Sequence, residues 1–209
     1  MVDDLEAEPA AAAAVFGERL DLARRFAESL ARHGEERGLI GPLEVPRLWN
    51  RHILNSAVVA PLLTGRIADV GSGAGLPGLV LAIARPDLSF TLIEPMERRT
   101  TWLSEQVDAL GLENVTVARM RGEEWAEGRV FDVVTARAVS ALRTLLPVTA
   151  PLVRPGGRLV LLKGANVGAE IDAAAKHIRR FGLDAVSVEV VGNGVIAEPT
   201  RVFVATVTR

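Results

Sequence analysis

Three glycines at alternate positions, Gly71, Gly73 and Gly75, follow a short apolar run that ends in Asp69-Val70. Glycine suits backbone that takes positive φ or lies bare against a ligand. Leu76-Pro77-Gly78 and a second apolar run come next. Pro77 fits the first turn of a helix, where its missing N–H has no intrahelical partner to lose. A strand, a glycine turn and a helix start present free N–H groups that attract polar or anionic ligand groups. Glu94 closes another apolar run, 19 residues after Gly75, and a carboxylate there can accept both hydroxyl protons of a ribose. Arg121-Gly122-Glu123 follows a third run. The Gly122 N–H can meet a ring nitrogen of adenine, and the Glu123 side chain can accept from an exocyclic amine. A single carboxylate is most often a surface residue, Glu123 and Glu124 above all. Three such elements in register at successive strand ends point to one nucleoside ligand.

Two ligand classes use such a turn. A dinucleotide site wants G-x-G-x-x-G, with its third glycine close to the helix and a pyrophosphate at the helix start. Here Leu76 stands where that third glycine belongs. The G-x-G-x-G spacing after Asp-Val is instead the usual turn for S-adenosylmethionine, which carries no phosphate and needs only bare backbone near its amino-acid and ribose parts. The chain has no Tyr and no Cys. That excludes a Tyr–Lys dehydrogenase, a Cys-nucleophile methyltransferase, disulfides and thiolate metal sites. The tetrad Asn/Asp-Pro-Pro-aromatic used on exocyclic amines is also missing, since Thr135-Ala136-Arg137-Ala138-Val139 occupies that place. No metal-ligand cluster is visible, and no metal is expected.

These residues need a scaffold, and 209 residues with 49% hydrophobic content can build one sizeable α/β domain with a helical extension. The start of the chain is acidic and alanine-rich, unlike a secretory signal, and no apolar stretch is long enough to span a bilayer. A cytoplasmic protein is expected. The net charge is −2, and removing Asp3, Asp4, Glu6 and Glu8 leaves +2. Residues 1–9 read as a flexible, solvated tail. The 22 Arg against 2 Lys suit phosphate and guanine recognition, although codon composition can give the same bias.

Residues 10–33 carry apolar positions at three- and four-residue steps and read as one helix. Residues 45–60 read as a second helix, with Arg47 and Arg51 four apart and His52 beside them. The rest alternates. Strands are expected over 67–70, 90–94, 115–120, 131–136 and 158–162. Helices are expected over 76–84, 97–110, 142–153 and 168–181, with a turn at Pro155-Gly156-Gly157. Two further β runs, 185–191 and 201–208, have no long helix between them. This order predicts a mostly parallel seven-stranded sheet covered on both faces and closed by one antiparallel strand. The division is a tail over 1–9, an N-terminal helical extension over 10–63 and a Rossmann-like class I S-adenosylmethionine-dependent methyltransferase domain over 64–209.

Several stretches together carry a resemblance. They are Arg51-His52-Ile-Leu-Asn-Ser56, Asp69-Val-Gly-Ser-Gly-Ala-Gly-Leu-Pro-Gly78, Arg121-Gly-Glu-Glu124, Arg137-Ala-Val-Ser-Ala-Leu142 and Leu162-Lys-Gly164. The chain resembles the bacterial small-subunit ribosomal RNA guanine-N7 methyltransferases, also called glucose-inhibited division protein B. The match is firmest from about residue 45 onward, and Gly-Leu-Pro-Gly and Arg137-Ala-Val-Ser-Ala-Leu are its most specific parts. The resemblance implies S-adenosyl-L-methionine as cofactor and 16S rRNA or the small ribosomal subunit as partner. It implies transfer to N7 of one guanine in the decoding-region loop. Cofactor contacts carry over to Gly71, Gly73, Leu76, Gly122, Glu123 and Arg137, with Glu94 in the ribose position. The chain departs from the family pattern in three places. Asn55 replaces a usual Asp, Gly38-Leu39-Ile40 replaces a polar Asn-Leu-Thr, and Gly122 replaces a common Ala, a change that matters little if the contact is through backbone.

Guanine N7 offers an in-plane lone pair, so direct in-line displacement needs no general base. Rate would come from orientation and exclusion of water. Arg137 is the expected positioning residue at the centre, and a salt bridge capping a strand end is its plain alternative. Arg47, Arg51, His52 and Lys163 are the candidate RNA contacts. Their plain alternatives are a solvated helix face, a packing histidine and a strand-end surface lysine. The rival functions are a small-molecule methyltransferase, a non-enzymatic nucleoside-binding regulator and a redox dinucleotide enzyme. A monomer is favoured.

Overall fold

The computed structural model describes residues 4–137 and 140–209. Asp3 of the acidic tail and the Ala138-Val139 pair of the Arg137 motif therefore lie outside the described residues.

The sheet has seven strands in the order β3-β2-β1-β4-β5-β7-β6. They are β1 (Arg66–Val70), β2 (Ser89–Ile93), β3 (Val115–Ala118), β4 (Phe131–Arg137), β5 (Val153–Lys163), β6 (Leu183–Val191) and β7 (Thr200–Val207). Strands β1 to β5 pair in parallel, and β7 runs antiparallel to both β5 and β6. The expected closing strand is thus β7, inserted between its neighbours rather than added at the edge. Parallel strands buried on both faces read as apolar runs, and β1, β2 and β4 do.

The helices differ from expectation in instructive ways. Residues 10–33 form two helices, α1 (Ala11–Phe16) and α2 (Leu20–His33), joined by a 3-10 turn. Gly17 breaks the run at φ 52°, outside the helical region. Residues 45–60 form a 3-10 turn, a π-helical turn over Trp49–Leu54, the short α3 (Asn55–Ala57) and another 3-10 turn, not a continuous α-helix. The helix α4 (Gly78–Ala84) starts after Pro77, and α5 (Glu97–Leu110) has its expected bounds, ending on left-handed Gly111. The expected helix 142–153 stops at Thr149 as α6 (Leu142–Thr149), and β5 already begins at Val153. Pro155, Gly156 and Gly157 therefore lie inside that strand, where the register jumps from Phe131↔Val153 to Val133↔Arg158. The last helical stretch is split at Ala174 into α7 (Val167–Ala173) and α8 (Ala175–Arg180).

The N-terminal helices dock on the sheet. Phe26, Leu30, Leu48, Ile53 and Leu54 share one core with Ile67, Leu79, Phe90, Leu92 and Trp102. Each large side chain so buried contributes roughly 1.5–3 kcal/mol, so the helical extension is part of the domain's own core. The opposite face packs α6, α7 and α8 on Ala68, Val134, Leu159 and Phe203. The acidic tail is not simply solvated. Glu6 accepts from the backbone and side-chain amides of Asn50, and Glu8 pairs with Arg24 at 2.6 Å. No helix among the described residues is long and apolar enough to cross a membrane.

Candidate functional site

The glycine turn sits at the carboxyl end of β1, where α/β sheets place their ligands. Gly71 N–H donates to the Ile93 carbonyl at 2.8 Å, which ties the turn to the end of β2. Gly73 has φ 55° and nothing but the Gly71 carbonyl near the position a Cβ would take. It is a bare, left-handed stretch of backbone open to a ligand. Gly75 is close-packed instead, since a Cβ there would fall 2.4 Å from Leu79. Leu76 is buried beside it. Trp102 on α5 is fully buried and donates from Nε1 to the Ala74 carbonyl at 3.1 Å, supporting the turn from below.

Two buried carboxylates organise this half. Glu94 is 2% exposed, and its oxygens accept from Gly73 N–H and Met96 N–H, both at 3.0 Å. It therefore fixes the turn while each oxygen keeps a lone pair for a ligand hydroxyl. Asp69, next to last in β1, is the second. It is fully buried, and its Oδ2 accepts from Gly78 N–H at 3.0 Å. Its Oδ1 has no partner among the described residues. Burial pushes its pKa up to about 7, against the Gly78 N–H and the nearby Ser72 hydroxyl, which itself donates to the Asp69 main-chain carbonyl at 2.9 Å.

After β3, Gly122 begins a 3-10 turn, Gly122–Glu124. Gly122 is buried, and a Cβ there would lie 2.5 Å from Val148 Cγ1. In this chain alanine would not be free at that position, because side-chain packing decides it as well as backbone contact. Glu123 is exposed, while Glu124 folds back to accept from Arg121 N–H at 2.9 Å.

Arg137 ends β4 and joins this half to a second one. Its Nη2 lies 2.9 Å from His52 Nδ1, and its Nη1 donates to the Arg51 carbonyl at 3.3 Å. Nε has no partner among the described residues. Part of the side chain stays accessible, yet burial of the guanidinium lowers its pKa to about 10, with the Asp69 charge opposing. It forms no ion pair within 4 Å among the described residues, so the salt-bridge alternative does not describe it.

The second half is a cavity of about 630 Å³ whose lining includes Arg47, Arg51, His52, Arg137, Lys163 and Arg201. All four candidate RNA residues meet there, though not as four equivalent cations. Glu44, which no sequence signal marked, gathers three of them: Arg47 at 2.6 Å, Arg51 at 3.2 Å and His52 at 2.6 Å. Arg47 and Arg51 are half exposed at the rim. The His52 side chain is only 13% exposed, and burial together with the Arg137 charge lowers its pKa. Lys163 is not an ordinary surface lysine. Its side chain is 9% exposed, pairs with Glu170 at 2.7 Å and donates to the Ser140 carbonyl at 2.8 Å. Glu170 also accepts from Leu142 N–H at 2.8 Å, so the two residues hold the backbone at Ser140 and Leu142.

The family departures have structural counterparts. Asn55 Nδ2 donates to Thr200 Oγ1 at 2.6 Å, a neutral tie between α3 and β7. Leu39 and Ile40 pack on the core. A separate groove of about 410 Å³ beside α5 and β3, lined by residues such as Glu97, Ser104 and Arg119, contains none of the expected site residues.

Comparison with known proteins bears on family and fold. A sequence model described as rRNA small subunit methyltransferase G matches residues 19–198. The ribosomal RNA small subunit methyltransferase G of Leifsonia xyli subsp. xyli is 64% identical over 208 residues, covering 99% of this chain and all of that protein. The protein of the same name from Corynebacterium glutamicum is 50% identical over 200 residues, covering 93% and 90% of the two chains. Among solved structures, a SAM-dependent O-methyltransferase from Thermotoga maritima aligns with a TM-score of 0.57 at 20% identity, over 75% of this chain and 66% of that one. A SAM-dependent methyltransferase from Aquifex aeolicus gives 0.58 at 18% identity, over 79% and 95%. These two share the fold, the Rossmann-like arrangement of class I methyltransferases. On the strength of the sequence matches across nearly its full length, the chain belongs to the rRNA small subunit methyltransferase G family.

Proposed function

We propose that the chain transfers a methyl group from S-adenosyl-L-methionine to N7 of one guanine in the decoding-region loop of 16S rRNA. The observation that carries this reading is the junction at Arg137. On one side lie bare backbone and two buried carboxylates, and on the other a cavity rimmed by arginine.

The residues fit the cofactor. Asp69 Oδ1 and Arg137 Nε are, among the described residues, a buried acceptor and a buried donor without partners. The ammonium and carboxylate of an amino-acid moiety suit such a pair. Glu94 has oxygen lone pairs for ribose hydroxyls, and Gly71, Gly73 and Leu76 form the wall. Gly122 and Glu123 edge the base. When bound, the cofactor supplies an electrophilic methyl group for direct in-line displacement. The protein's task is positioning. Guanine N7 needs no deprotonation, so the lack of a general base is no obstacle. A cation close to a base that becomes cationic is unfavourable, so Arg137 serves the cofactor side. Arg47 and Arg51 meet phosphate at the rim, where the partner is RNA in an irregular, unstacked segment. Lys163 acts indirectly, by holding the backbone at Ser140. We place the enzyme in the cytoplasm as a monomer with the small subunit or its rRNA.

The test is to delete the gene and digest 16S rRNA for mass spectrometry. One 7-methylguanine should disappear and return on complementation. An unchanged complement of 7-methylguanine would overturn the assignment.

A further inference from the structure

We propose that His52 is a positioning residue that holds the Arg137 guanidinium through its Nδ1 lone pair and is itself held by Glu44. The inference rests on the reading that Arg137 works at the reacting centre. It adds a reason why Arg137 stands where it does.

A guanidinium only donates hydrogen bonds. The 2.9 Å contact between Arg137 Nη2 and His52 Nδ1 therefore requires Nδ1 to be unprotonated. The ring proton must then sit on Nε2, which lies 2.6 Å from Glu44 Oε2 and donates to it. The network thus assigns both the charge and the tautomer of His52. The other hydrogen bond from Arg137, to the Arg51 carbonyl, is longer at 3.3 Å, so the histidine is the tighter hold.

Both anchors come from the π-helical turn over Trp49–Leu54. Such turns occur often at functional sites. This one is fastened on either side of His52. Glu6 accepts from Asn50, and Asn55 donates to Thr200. Large apolar residues of the same turn, Trp49, Ile53 and Leu54, are buried in the core. The ring is therefore fixed against the domain and does not ride on a loose surface helix.

The charged groups around His52 come from several elements, and Arg47 of the preceding 3-10 turn lines the same cavity while sharing Glu44. Glu44 approaches from the loop before the turn, Arg51 from the turn itself, and Arg137 from β4. Lys163 and Arg201 line the same cavity from β5 and β7, and Glu198 from the loop before β7. Burial, and next the Arg137 charge, keep the ring neutral below its ordinary pKa, against the pull of Glu44. Acidification through that lowered pKa makes both ring nitrogens donors. Arg137 then loses its acceptor and gains a cationic neighbour.

The experiment uses the full chain, labelled methyl donor and small subunits that lack the modification. It measures kcat and KM across the acid range for wild type, His52→Ala, His52→Asn and Arg137→Ala. His52→Ala should lower kcat by about 10–100-fold, as small misplacements at a reacting centre do, with little change in RNA KM. His52→Asn presents an oxygen near the position of Nδ1, so it should recover most of that loss and make the acid limb of the wild-type profile less steep, leaving the titration of Asp69, which is raised to about 7. If His52→Ala misfolds by circular dichroism, the steepness of that limb in His52→Asn decides alone. An unchanged kcat in His52→Ala, a loss confined to KM, failure of His52→Asn to recover, or a limb as steep as wild type in His52→Asn would each overturn the inference. Full activity in Arg137→Ala would instead overturn the underlying reading of Arg137.

Discussion

The two halves of the site are built from different materials. On the cofactor side the working groups are backbone N–H groups and carboxylates with almost no exposed surface. Glu94 ties Gly73 and Met96, and Asp69 ties Gly78. On the substrate side they are long side chains at a rim, and Arg47, Arg51 and His52 share a single carboxylate. The first arrangement is rigid because packing fixes it before any ligand arrives. The second can be rearranged cheaply, since half-exposed ion pairs contribute about 0–1 kcal/mol each. A small, invariant cofactor suits a preformed cradle, whereas a large RNA with an irregular surface suits an adjustable rim. Arg137 stands between them and borrows its stiffness from His52.

This contrast can be broken experimentally, and the effects should scale with it. The largest loss belongs to the junction. Arg137→Ala should lower methyl transfer by ~100–1,000-fold, in the range of losing one preorganised donor, while circular dichroism shows a native fold. Unchanged turnover would remove the junction from the account. Next comes the cradle. Glu94→Ala leaves two backbone donors without their acceptor, at roughly 1–3 kcal/mol each. Thermal melting should show the loss, and calorimetry with S-adenosylhomocysteine should show weaker binding by at least ~10-fold. A wild-type affinity would mean that the ribose is held elsewhere.

Asp69 gives a smaller, pH-dependent signature. Its carboxyl is raised from an ordinary value near 3.8 to about 7, so the folded chain holds a proton that the unfolded chain releases. Its stabilising contribution is complete below the ordinary value and is lost as pH rises through about 7. Asp69→Asn keeps an oxygen for Gly78 N–H and should flatten the dependence of urea-unfolding stability on pH across that window. A slope identical to wild type would show that another group titrates. The smallest effects belong to the rim. Arg47→Ala and Arg51→Ala should each reduce the salt dependence of RNA binding by about one phosphate contact and leave S-adenosylhomocysteine binding unchanged. A change in cofactor affinity would erase the distinction between the two halves.

The same contrast explains what could be read from sequence. The cradle is local: Gly71 to Gly78 are contiguous, and Glu94 and Gly122 stand at the ends of the next two strands, so spacing alone exposes them. Asp69 stands in the same motif, but its role shows only in the fold, where it is fully buried and accepts from Gly78 N–H. The rim is less legible. Glu44 meets Arg47 as an i,i+3 pair but also reaches Arg51 and His52, across a 3-10 turn and a π-helical turn where a regular helix is expected. Lys163 meets Glu170 only because β5 and α7 come together beyond the end of β4. The break at Gly17 and the register jump in β5 do carry local signals, a glycine at positive φ and the Pro155-Gly156-Gly157 stretch, the second of which reads as a turn and proves to be an irregular strand; the break at Ala174 carries none, because apolar periodicity continues across it. The cost of a side chain at Gly122 lies in Val148, 26 residues away in sequence.

The central claim is a methyl group placed on guanine N7 of small-subunit rRNA. The direct measurement incubates the purified chain with labelled S-adenosylmethionine and small subunits, or naked 16S rRNA, from cells lacking the gene, and then identifies the labelled nucleoside by mass spectrometry. The expected result is one labelled 7-methylguanosine per subunit, mapped to the decoding-region loop, at an initial rate ~100–1,000-fold lower with Arg137→Ala. Label on another base or another position of guanine, or none on either RNA substrate while the chain binds the methyl donor, would contradict it.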